Sequence, residues 1–231
     1  TVHAAMVAAG LSADRALTIA PTTVGEMLDA LKRVGTALGE TDSAVASIVG
    51  GLTSRLDLID AAVAAVALPH RPRVLGLESA CPLVASGMWL PDMRHRAGGC
   101  DALGGSAGCA PRVVTLDEVA GCDAGVVVLC CCGRSASGAV SEVEAHLLAH
   151  AAFWRLPALR ARPPRLYLTS HEHFSRPGPR LVDGIETLAS LLHPTTLLPE
   201  LVGRATADVL RLVVDEEAAS NAPDARPAKW H

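Results

Sequence analysis

Residues 124–131, AGVVVLCC, leave few choices of fold. The run is apolar without a break, rich in β-branched residues, and bounded by Gly125 and Gly133. A strand with no polar–apolar alternation is buried on both faces, so it belongs inside a sheet with a layer of helices on each side. RVLGL (73–77) reads as a second short buried strand, with RVVT (112–115) and RLYLTS (165–170) as further strands. Helices fall between them. LPDMRHRAG (90–98) closes at Gly98-Gly99. TLDEVAG (115–121) has Thr115 and Glu118 in capping-box spacing. SEVEAHLLAHAAFW (141–154) has Ser141 and Glu144 in the same spacing. PRLVDGIETLASLLHP (179–194) has Pro179 in its first turn and Pro194 beyond its end. Strand–helix alternation with short links predicts an α/β chain of three layers around a mainly parallel sheet.

Two helices precede the alternation. TVGEMLDALKRVGTALG (23–39) repeats Val24, Leu28, Leu31, Val34 and Leu38 at the helical period and ends at Gly39. In 43–67, Val45, Ile48, Val49, Leu52, Leu56, Ile59, Val63 and Val66 mark one face, and Pro69 stops the helix. Continuous, it is roughly 37 Å long, the length of a brace between two parts of a molecule. The expected division is 1–39 as a first helical part, 40–69 as a connecting helix and 70–194 as an α/β lobe. The pattern fades in 195–231, which reads as a disordered tail.

Composition narrows the function. Net charge is −4 and the basic residues are dispersed, so no nucleic-acid footprint is present. AAVAAVALP (61–69), the longest uncharged apolar run, is well short of a membrane span. The chain starts at Thr1 with no leader pattern, as a processed or partial protein would. Its seven cysteines lack disulfide-framework or zinc spacing and suit a reducing compartment, leaving localisation open.

Ligands of open parallel sheets sit beyond the carboxyl ends of the strands. The loops there carry Glu78, Trp89, Arg134, His171, Glu172, His173, Phe174 and Arg176. Rings and arginines on one mouth suit a large ligand with apolar faces and polar edges. The same spacing equally suits Phe174 in the core, Trp89 under a helix and Arg176 in water. His171 and His173, two apart in an extended segment, face one way and suit a shared metal, as do His146 and His150 on a helix; neither pair has a third ligand at a diagnostic spacing. Glu78 and Asp92 are conceivable as a carboxylate pair, with nothing to fix their separation. GGSAG (104–108) reads as a turn. With no nucleophile elbow, phosphate loop or zinc-protease motif, the sequence makes no case for an enzyme.

RPRVLGLESACPLVASGMWLPDMRHRAGG (71–99), VVVLCCCG (126–133) and FSRPGPRLVDGIETLASLLHP (174–194) together resemble the C-terminal lobe of cobalamin-type (class III) substrate-binding proteins of ABC importers. Residues 23–39 and the long helix resemble that family's last first-lobe helix and inter-lobe spine, which implies that 1–39 is the remnant of an N-terminal lobe. The resemblance implies a Rossmann-like lobe and non-catalytic binding of a corrinoid or other tetrapyrrole-like ligand, typically cobalamin, with haem and siderophores as alternatives. It implies no cofactor, an importer membrane subunit as partner and an extracytoplasmic setting. Position by position it implicates Glu78, Trp89, Cys132, Gly133, His173, Phe174, Ser175 and Arg176. Ser79 and Cys81 stand where relatives carry an aromatic and an acid, which removes a stacking surface. A clamp with most of one jaw missing is alternatively a domain kept for protein–protein contact.

Overall fold

The computed structural model describes residues 2–10, 12, 16–194, 208–214 and 228–231. Helix α1 (Val2–Ala8) is followed by α2 (Val24–Ala37) and α3 (Asp42–Ala64). Thr23 caps α2 by accepting from the Glu26 amide at 3.1 Å, while the Glu26 carboxylate reaches back to Thr22 rather than Thr23. Strands β1 (Arg73–Ala80) and β2 (Leu83–Ala85) form a hairpin. Then come α4 (Leu90–Arg96), the short strands β3 (Cys100–Asp101) and β4 (Arg112–Val113), and α5 (Leu116–Gly121). Thr115 and Glu118 make the full reciprocal capping box at the start of α5. The centre of the sheet is β5 (Val126–Leu129), followed by α6 (Ala136–Val143), α7 (Pro157–Arg160) and β6 (Leu166–Thr169). The chain continues through α8 (His171–Phe174), α9 (Arg180–Leu192), β7 (Val209–Val214) and β8 (Ala228–Trp230).

The sheet order is β4-β2-β1-β5-β6-β7-β8, with β3 beside β1. The pairs β1–β5, β5–β6 and β1–β3 are parallel, and both flanks are antiparallel. Alternate residues of the central strands serve two different cores, as a two-residue period requires. Val74, Val126, Val128 and Tyr167 face α2, α3, α4 and α9. Leu75, Leu77, Val127, Leu129, Leu166 and Leu168 face α5, α6 and α7. The expected three layers are present.

Three elements differ from expectation. The helix expected over 141–154 begins at Ala136, because Ser135 and not Ser141 supplies the cap, accepting from the Gly138 amide at 3.1 Å. It widens into a π turn at Glu144–Leu148 and breaks, and Glu144 accepts from the Trp230 indole at 3.0 Å instead of closing a box. The tail expected to be disordered contributes β7, paired to β6, and β8; apart from Asp208 and His231, its other residues lie outside those described. In α3, Val49, Leu52, Leu56, Ile59 and Val63 are buried as expected, but Ile48 faces solvent, since no described residue covers the first turns of that side.

Helix α3 is fastened to the lobe by charge as well as by apolar contact. Arg55 forks onto Glu186 of α9, at 2.9 and 2.7 Å, and onto Asp183 at 2.5 Å. Glu186 is wholly buried. A buried cation, Arg94 of α4, binds the Ser86 hydroxyl at 2.6 Å and the Asp101 carboxylate. It lies against Gly76, where a Cβ would strike the guanidinium. A glycine inside an apolar strand often marks such a close approach.

Candidate functional site

The parallel strands β1, β5 and β6 end side by side, and the segments that leave them build one rim. The first is Glu78–Pro82, the second Cys130–Ser135 and the third Ser170–Arg176. Trp89, at the start of α4, closes one flank: its indole N–H donates to the Phe174 carbonyl at 2.6 Å. Of the eight implicated residues, the structure puts seven at this rim and sends the Phe174 side chain elsewhere.

Phe174 is 1% exposed and packs in the core with Leu181 and Ile185. It plugs the top of the lobe and presents no ring to a ligand, because α8 is a single helical turn that directs its last residue inward. Trp89 is half-buried and shares that core. Arg176 is exposed and makes no ion pair or hydrogen bond among the described residues, so its guanidinium is free for a ligand. Cys132 and Gly133 are exposed; Gly133 has φ 75°, a conformation that favours glycine. Ser175 meets the Cys130 thiol at 3.1 Å.

Glu78 is half-buried and accepts from the Gly87 amide at 2.9 Å. Burial raises its pKa above the ordinary carboxylate value, opposed by the Gly87 bond and the Arg94 charge. Asp92 does not pair with it. That carboxylate accepts from the Val24 amide at 2.9 Å and ties α2 to α4.

The two rim histidines differ from expectation. They sit in a helical turn rather than an extended segment, so at about 100° per residue they point to different sides. Among the described residues no group of three or more His, Cys, Asp or Glu could hold a metal ion, at 171/173 or at 146/150. Each histidine is nonetheless fixed. His171 Nδ1 lies 2.9 Å from the Arg134 carbonyl, an acceptor, so Nδ1 carries the proton and Nε2 keeps its lone pair in the neutral ring. His173 Nδ1 lies 3.0 Å from the Ser170 hydroxyl.

Burial pushes the Cys130 thiol up to about 12, and burial with the nearby Glu142 charge pushes Cys131 to about 11, so both stay protonated at neutral pH. The Ser170–His173 contact resembles a nucleophile–base pair, but no acid orients the far ring nitrogen among the described residues.

Sequence reasoning missed Glu142. From α6 it accepts from the Ala80 amide at 3.0 Å and the Cys81 amide at 3.3 Å, and it pairs with Arg134 at 3.3 Å. One carboxylate thus joins the first two rim segments. The two amides it accepts from lie 62 and 61 positions away in the chain, and no motif links them to it.

No protein-family model and no curated protein matches the chain. Solved structures do match its fold. An ABC transporter substrate-binding protein from Listeria monocytogenes EGD-e gives a TM-score of 0.70 at 15% identity, over 84% of this chain and 72% of that one. A possible iron-binding periplasmic solute-binding protein from Staphylococcus epidermidis ATCC 12228 gives 0.65 at 16%, over 83% and 70%. The periplasmic haem-binding protein RhuT from Roseiflexus sp. RS-1 gives 0.67 at 18%, over 83% and 70%. At these identities the likeness is one of fold, and the fold is that of a periplasmic-binding-protein lobe.

Proposed function

We propose that the chain is a non-catalytic solute-binding protein that takes a tetrapyrrole-type metal chelate, cobalamin or haem, at the rim of its α/β lobe. One observation carries this reading: His171 is locked by the Arg134 carbonyl in the tautomer that leaves Nε2 unprotonated at the rim. A histidine whose Nδ1–H is held by a carbonyl is the usual arrangement for binding a metal centre through Nε2. A chelated metal needs only one such axial donor, so the absence of a multi-residue metal cluster is no obstacle. Exposed Arg176 supplies a cation for the carboxylate or phosphate edge of such a ligand. The similar folds include proteins whose names record haem binding and possible iron binding, which supports this reading and, with it, a partner of importer membrane-subunit type.

Haem is the more specific of the two ligands on this observation, because its iron accepts an imidazole directly. Calorimetric and visible-absorbance titrations with haem and with cyanocobalamin separate them. Haem binding with a shifted Soret band, lost in His171→Ala and kept in His146→Ala, supports the haem reading. Heat with cyanocobalamin alone supports the corrinoid one. No heat and no spectral change with either at high micromolar concentration would sink the proposal.

A further inference from the structure

A concave site lies at the other end of the sheet from the rim. A depression of about 750 Å³ opens near the amino ends of the central strands and runs along β6 and β7 on the side of α9. Its basic lining is His70, which precedes β1, Arg162 and Arg165, which precede β6, His193 at the end of α9, and Arg211 on β7. Tyr167 and Leu192 give it an apolar floor, and no aspartate or glutamate is among its described lining residues. The chain as a whole is net acidic, at −4 with histidine neutral, so the grouping of Arg162, Arg165 and Arg211 is against the overall balance.

The protein accounts for part of this charge. Arg165 donates to the Leu191 and Leu192 carbonyls, both at 3.0 Å, and so caps the end of α9. Arg211 is different. Only its Nε is engaged, on the Pro164 carbonyl at 3.1 Å, and its guanidinium lies 5.8 Å from the centre of the Tyr167 ring. Its two terminal nitrogens have no acceptor among the described residues, and neither Arg165 nor Arg211 faces a carboxylate partner there. The positive field is felt nearby. The His193 pKa is lowered first by burial, against its hydrogen bond to Gly98, and further by the charges of Arg165 and Arg71.

We propose that this depression binds an organic anion, a molecule carrying phosphate or carboxylate groups on a flat apolar body. A guanidinium fork held over an aromatic ring is preorganised for a planar or tetrahedral oxyanion. A concave wall of low dielectric strengthens that attraction. The apolar floor accommodates the body of the ligand. This site shares no residue with the rim at the carboxyl ends and stands or falls independently of the metal-chelate reading.

The test is calorimetric titration of the 231-residue chain at low salt with AMP, citrate and adenosine. AMP binds, and adenosine, which has the flat body without the charge, does not. Citrate, which has the charge without the flat body, binds more weakly than AMP; binding of citrate alone overturns the role given to the apolar floor. Affinity falls about tenfold or more in Arg211→Gln, as loss of a charged hydrogen bond predicts, and weakens as salt is raised. His70→Ala, at an exposed position where folding is not at stake, weakens binding in the same direction. No heat from either anion at millimolar concentration, or affinity unchanged in both variants, overturns the proposal.

Discussion

At the scale of single residues, Phe174 and Arg176 show how far spacing carries. They are two apart on one loop, and the sequence gives no means of ordering their roles. The structure separates them completely, one in the core and one in water. Replacing Phe174 by alanine should therefore destabilise the protein by about 3–5 kcal/mol. Arg176→Ala should stay within about 0.5 kcal/mol, whatever it does to ligand affinity. Urea unfolding of the two variants checks this. A Phe174→Ala loss below about 1 kcal/mol would mean the ring is not a core residue. The His171 tautomer was equally illegible, because it depends on a carbonyl contributed by Arg134 on a different loop.

At the scale of elements, the periodic segments were legible and the junctions were not. Helices α3 and α9 follow the apolar spacing, whereas α2 buries Met27 and Ala30 beside Val24, leaves Leu28, Leu31 and Val34 half-buried and exposes Leu38; the caps at Thr23 and Thr115 are local features that a few residues encode. Helix α6 was misplaced because two serines, Ser135 and Ser141, both suit a cap; the earlier one wins by following directly on the turn through Gly133. The attachment of α3 to α9 is a tertiary matter. Arg55 reaches across 131 positions to a carboxylate that is fully buried. Removing only the cation leaves Glu186 uncompensated, so Arg55→Ala should lower stability by about 3 kcal/mol. Pairing that change with Glu186→Gln should restore part of the loss. Equal losses in the single and double variants would show that the ion pair is not what Glu186 depends on.

At the scale of the molecule, α2 and α3 do not form a separate unit. Val24, Met27, Leu52, Leu56, Ile59 and Val63 share one core with Val74, Met93 and Ile185 of the lobe. They should therefore open with it. In native-state hydrogen exchange, the amides of Leu56 and Ile59 are expected to exchange as slowly as those of Val127 and Val128 in β5, by global unfolding. Fast exchange in α3 beside slow exchange in β5 would make the helix an independent arm.

The sequence by itself determined the buried parallel strands, their alternation with helices and the three layers, because two- and 3.6-residue periods are written locally. It also located the rim, since loops at the carboxyl ends of parallel strands share one side of the sheet. Only the tertiary structure decided which rim residues face outward, how Glu142 ties two loops together, and that β7 and β8 extend the sheet. Only it gathered the cations around the Tyr167 floor. Each of these rests on contacts between segments distant in the chain, and such contacts leave no periodic trace in the segments that make them.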